Sequence, residues 1–168
     1  MICPDCNHAE MTQKTETIRY EESGLSNVVL KNIPVRHCPN CGSQLVSIPN
    51  LSGLHRYIAV ALVLKPERVT PEEVSYLRKS LGWSKAHFAR KLHVRPEQVS
   101  RWESKKKPVP MSVQGELLLR TLVAMGQKID DYEEHLEEFA SSQEAKPHLL
   151  SMFYDHGNWQ ENAQALAC

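Results

Sequence analysis

Four of the five cysteines stand in two Cys-Pro-x-Cys turns, in MICPDC and in RHCPNCG. A turn of this kind lets two thiolates converge on one point, and two turns supply the four sulfurs of a tetrahedral structural zinc site. Cys3, Cys6, Cys38 and Cys41 are the expected ligands. With sulfur at every position no place remains for water, so the Zn2+ would hold the fold rather than hydrolyse anything. A redox dithiol and an iron–sulfur cluster are the other chemistries open to such pairs. His8 and His37 flank the turns and are expected to be solvated or to support the ligands, since four cysteines complete the set. Pairs of this type fit a reducing cytoplasm better than a disulfide framework, and Cys168 is left over.

A second chemistry is concentrated in VRPEQVSRWESKKKPVP, residues 94–110. On a short helix opened by Pro96, Val99 and Trp102 fall three apart and belong to the core, so the tryptophan holds the domain and reads nothing. Arg101 then lies on another face and suits a guanine edge through two hydrogen bonds, while Glu97 can accept from cytosine N4. Lys85, Arg95, Gln98, Ser100, Lys105 and Lys106 are expected along the DNA backbone, with Lys107 beside them. The bland alternative is a solvated basic face. Glu103 is misplaced for DNA and is expected to turn back onto Arg78 as a structural brace.

The elements needed to position these residues are legible. TETIRYEE and NVVLKNIPVRHC alternate in period two and read as strands of a ribbon too small to fold alone, for which zinc supplies the missing energy; losing a ligand is expected to unfold residues 1–45. After the SIPNLSG loop, an apolar connecting helix is expected over residues 51–63. Thr70, Pro71 and Glu73 form a helix start with a capping box, and Val74, Leu77 and Leu81 supply its buried stripe. Gly82 ends that helix and Ser84 caps the next, whose Phe88, Ala89 and Leu92 face inward. SVQGELLLRTLVAMG gives a fourth helix. KIDDYEEHLEEFA gives a fifth, with Ile129, Tyr132, Leu136 and Phe139 on one stripe and an acidic opposite face.

The fold class expected is therefore α+β: a small four-cysteine zinc-binding β-ribbon followed by an all-α helix-turn-helix domain of about five helices. Its divisions are residues 1–46 for the ribbon, 47–69 for the linker and connecting helix, 70–140 for the helix-turn-helix domain, and 141–168 for an extension whose MFYDHGNW stretch either docks or marks a partner site.

A net charge of zero hides a segregation of charge. Residues 70–110 hold ten Lys or Arg against four acids, a balance of +6, and residues 128–144 hold seven acids against one Lys, a balance of −6. IAVALVLK, the most apolar run, is much too short to span a membrane. The chain opens on MICPDC without a cationic, apolar leader, which points to the cytoplasm.

Taken together, MICPDC and RHCPNCG around a ribbon, followed by LRKSLGWSKAHFARKLHVRPEQVSRWE, resemble the MqsA-type antitoxins, zinc-ribbon plus Xre-like helix-turn-helix proteins of bacterial toxin-antitoxin operons. The resemblance covers residues 1–110. It implies a homodimer that binds a palindromic operator in double-stranded DNA and represses its own operon, while the zinc module binds a toxin that cleaves messenger RNA. It gives the four cysteines to zinc, Arg101 to base reading, Glu97 to the neighbouring exposed position, Lys85 to the backbone and Glu103 to the brace with Arg78. Arg95 departs from the small hydroxyl that often caps the recognition helix, and Glu97 departs from the neutral amide of many readers.

Other classes fit less well. A stand-alone zinc-binding regulator shares the architecture. Against an enzyme, His55, His87, His93 and His135 are dispersed, the carboxylates cluster on the acidic helix, and the sequence holds no glycine-rich phosphate loop and no His-Glu-x-x-His motif. An RNA reader would expose aromatic platforms, whereas Tyr20 and Trp102 fall at buried positions. A protein-interaction adaptor would show no salt-dependent DNA binding.

Overall fold

Val28, Leu30, Ile33 and Val35 are all buried, although two of them sit at even and two at odd positions. The strand keeps one face inward because it bulges. β1 (Thr12–Arg19) pairs antiparallel with β2 (Val28–His37), and Lys31 and Asn32 together oppose Thr17, with Asn32 in the left-handed region at φ 62°. One extra residue restores the alternation on which the buried face depends. Gly24, at φ 80°, closes the 3-10 turn Glu21–Ser23 that joins the two strands.

The computed structural model describes residues 1–141 and 144–161, so Cys168 lies outside the described residues. β2 is the hub of a five-stranded sheet. β1 covers one edge; on the other, β3 (Gln44–Val46) pairs antiparallel with Val35–His37, and β4 (Leu150–Asp155) pairs parallel with Val28–Lys31. β5 (Asn158–Glu161) returns from β4 as a hairpin. The segment after the helices therefore docks on the ribbon. Leu150 and Met152 are fully buried, and Trp159 donates Nε1–H to the Asn50 carbonyl at 3.1 Å.

α1 (Leu51–Leu64) buries Leu54, Ile58 and Leu62 along one stripe and packs against the hairpin and the later helices. α2 (Pro71–Ser80) starts with the full capping box: Thr70 Oγ1 accepts from the Glu73 amide and Glu73 Oε2 from the Thr70 amide. α3 (Lys85–Lys91), α4 (Pro96–Trp102), α5 (Val113–Gln127) and α6 (Leu136–Ser141) follow. One core is continuous from Leu30 and Ile33 through Ile58, Leu77 and Phe88 to Leu119, Met152 and Trp159.

The acidic segment differs from the single helix expected. Lys128 and Asp131 take left-handed φ of 55° and 54°, and a 3-10 turn, Tyr132–His135, precedes α6. The break lets Tyr132 turn inward and donate its hydroxyl to the Val63 carbonyl, while Phe139 is buried as the stripe requires. The Arg120 guanidinium stacks 4.4 Å from the Phe139 ring and donates to the carbonyls of Val63, Lys65 and Glu67 and to Glu116. The carbonyls at and beyond the C-terminus of α1, which no later turn can satisfy, thus find donors in a buried arginine and a tyrosine.

Candidate metal centre and nucleic-acid interface

The two cysteine turns are built alike. Asn7 donates its amide to the Cys3 carbonyl at 3.0 Å and Gly42 donates to the Cys38 carbonyl at 3.1 Å, each closing a turn with a left-handed residue just after the second cysteine. The four sulfurs lie within 4.8 Å of one another, with Cys3 and Cys41 at 3.7 Å and Cys6 and Cys38 at 3.6 Å. Sulfurs about 2.3 Å from a tetrahedral zinc ion stand about 3.8 Å apart, so the residues present fit the metal. The backbone N–H of His8, with Asn40, brings the Cys6 thiol down to about 6. At Cys41 the Ser43 N–H acts downward, but contact with Cys38, burial and the other sulfurs push the thiol up to about 12. Four thiols so crowded ionise together only around a cation, which is the role these cysteines are positioned to fill. Zinc, when bound, supplies a structural cross-link between the two turns.

His37 lies outside the sulfur set, its Nε2 2.6 Å from Glu16 Oε1, and His8 contacts the Cys6 carbonyl. Among the described residues no other group of three or more His, Cys, Asp or Glu side chains gathers into a metal-binding set.

α3 and α4 form a helix-turn-helix-like pair. Ser84 caps α3 by accepting from the His87 amide at 3.1 Å, and His93, at φ 53°, makes the turn that carries the chain to α4. Val99 and Trp102 are buried under α4, with the Trp102 ring edge-on to Phe88. Glu97, Ser100 and Arg101 are exposed and Gln98 is half-buried, so they share the outward side of α4 with the exposed Arg95 at its N-cap. Arg95 makes no side-chain cap. A shallow depression is lined by His93, Arg95, Glu97, Gln98 and Arg101.

Arg78 and Glu103 form a two-pronged ion pair, their side chains both less than a tenth exposed. Lys85 Nζ lies 3.7 Å from Glu103 and 3.5 Å from Ser100 Oγ, which places it at the junction of α3 and α4. Lys106 and Lys107 are exposed on the loop after α4, whereas Lys105 Nζ is 2.6 Å from Glu72 Oε1.

Sequence reasoning passed over two arrangements. His55 bridges two tyrosines, with Nε2 3.0 Å from the Tyr20 hydroxyl and Nδ1 2.8 Å from the Tyr76 hydroxyl, joining β-ribbon, α1 and α2. Lys65 and Glu73 form a buried ion pair at 2.7 Å, and Arg68, Glu116 and Arg120 continue the charged cluster. The only signal was an apolar helix ending on lysine, which reads equally as a solvated end.

Residues 1–133 match the model of the family described as the antitoxin component of a bacterial toxin-antitoxin system, MqsA. No curated protein and no solved structure matches the chain significantly. The β4–β5 hairpin lies beyond the matched residues. Among the described residues no helix is long and apolar enough to cross a membrane.

Proposed function

The chain belongs to the MqsA antitoxin family, and from that premise we propose that it is the DNA-binding, autorepressing partner of a ribonuclease toxin, acting in the cytoplasm as a homodimer. The observation that carries the reading is the division of α4: Val99 and Trp102 anchor it, while Glu97, Ser100 and Arg101 are left outward among basic side chains. Two such helices enter successive major grooves about 34 Å apart, so a palindromic operator is the matching target.

In this reading Arg101 takes a guanine edge and Glu97 an adjacent cytosine amine. Lys85, Arg95, Gln98, Ser100 and Lys106 fix the register on phosphates. Arg78 and Glu103 hold α4 at its angle, and the cysteine site keeps the ribbon shaped for the toxin. Catalysis is no part of this role.

The test is binding of the purified protein to its own upstream DNA against a scrambled duplex at matched salt, with Arg101→Ala alongside. The substitution is expected to cost about 1–3 kcal/mol on the operator and to relax preference at one base pair. Equal loss on both duplexes would remove Arg101 as a reader.

A further inference from the structure

We propose that Glu72 is a positioning residue that withholds Lys105 from the phosphate-contacting surface and so sets how many phosphates the loop after α4 engages. The inference rests on the DNA-binding reading above.

One carboxylate joins three segments. Glu72 stands in the first turn of α2, where the helix terminus favours negative charge. Its Oε2 accepts from the Ser26 amide at 3.0 Å and the Ser26 hydroxyl at 2.9 Å, both from the turn between β1 and β2. Its Oε1 meets Lys105 Nζ at 2.6 Å. Burial works against the charge, but Lys105 and the Ser26 donors outweigh it and hold the carboxyl below its ordinary value.

An ion pair between two free surface side chains exchanges readily with solvent. Here only one partner is free: the Lys105 side chain is 66% exposed, but that of Glu72 is 18% exposed and fixed from behind by two donors. The Ser26 contacts leave Oε1 aimed at the loop. Lys106 and Lys107 are exposed and, among the described residues, have no carboxylate within ion-pair distance. The loop therefore presents two available ammonium groups and a third that is neutralised, although all three are consecutive in sequence.

Each phosphate engaged by a cation steepens the dependence of log K on log salt by about 0.9. The test measures that slope for the full-length, zinc-loaded protein on a scrambled duplex between about 50 and about 200 mM salt. Glu72→Gln keeps an acceptor for Ser26 and removes the charge. It is expected to bind severalfold more tightly at the lowest salt and to steepen the slope by about 0.9. Lys105→Ala alone is expected to leave the wild-type slope, and the double variant to return to it. Cobalt–thiolate absorption and far-ultraviolet dichroism establish that each variant is folded.

An unchanged slope in Glu72→Gln, where the wild type binds with clear salt dependence, overturns this inference alone. So does a gain that persists without Lys105, which would be a general charge effect. If Glu72→Gln does not fold, Lys105→Ala still decides, because a slope shallower by about 0.9 would show Lys105 already on a phosphate. Absence of salt-dependent binding in every protein overturns both this inference and the DNA-binding reading.

Discussion

The Arg78 guanidinium grips both carboxylate oxygens of Glu103, Nε at 2.5 Å and Nη2 at 3.0 Å. A third donor, Nη1, reaches the Trp83 carbonyl just before α3. One side chain of α2 therefore fixes the start of α3 and the end of α4. Glu103→Ala leaves a buried guanidinium without its counter-charge and is expected to cost about 3–5 kcal/mol in urea unfolding. The double change Arg78→Met with Glu103→Leu is expected to cost less than Glu103→Ala alone. A double variant as unstable as the sum of the single changes would show that the two residues act independently.

Metal removal is expected to act more locally than a free ribbon would allow. Cys3, Met11 and Cys38 form a small cluster of their own, whereas Val28, Leu30, Ile33 and Val35 belong to the main core and β2 is paired on both edges. Chelation, or Cys38→Ser, is expected to expose amides of the two cysteine turns to hydrogen exchange while those of Val28–Lys31 stay protected. Loss of protection throughout the ribbon would restore the simpler expectation that residues 1–45 unfold together. Cobalt in place of zinc is expected to give the absorption of four thiolates.

His55 makes stability depend on pH. Burial between Tyr20 and Tyr76 lowers its affinity for a proton below the ordinary value of 6.5. Below pH 6.5 the unfolded chain therefore takes up more protons than the folded one, so stability is complete above that value and falls as the pH drops through it. The loss levels off once the folded ring is itself protonated. Urea midpoints measured at pH 7.5 and pH 5.5 for the wild type and His55→Gln, both zinc-loaded, isolate the effect from thiolate protonation. The wild type is expected to lose more on acidification than the variant; an equal loss would exclude His55 as its source.

Local rules made much of this fold legible. Thr70, Pro71 and Glu73 announce α2 because a capping box is complete within four residues, and the two cysteine turns announce a metal centre because each is closed by its own neighbours. The Arg78–Glu103 contact was readable because an acid following a core tryptophan has few other destinations. What stayed hidden depends on distance in sequence. Arg120 lies on a helix that reads as amphipathic, and only the fold brings it under the end of α1. Lys105 is one of three consecutive lysines, and nothing in the run distinguishes the one that meets Glu72. The β4–β5 hairpin has ordinary strand residues, but its place beside β2 is a parallel pairing that no neighbouring turn dictates.

That pairing also bears on how the protein is made. Asn32 bonds to the Tyr154 carbonyl across 122 positions of sequence, and Leu30 lies opposite Met152 in the same register. During synthesis β3 follows β2 closely and covers Val35–His37, but Val28–Lys31 on the same edge wait until nearly all the described chain has followed before β4 can cover them. Contacts that close so large a loop form late and slow the search for the native state. Until the hairpin arrives, that stretch of β2 presents unpaired backbone groups, the kind of strand edge through which incompletely folded chains associate.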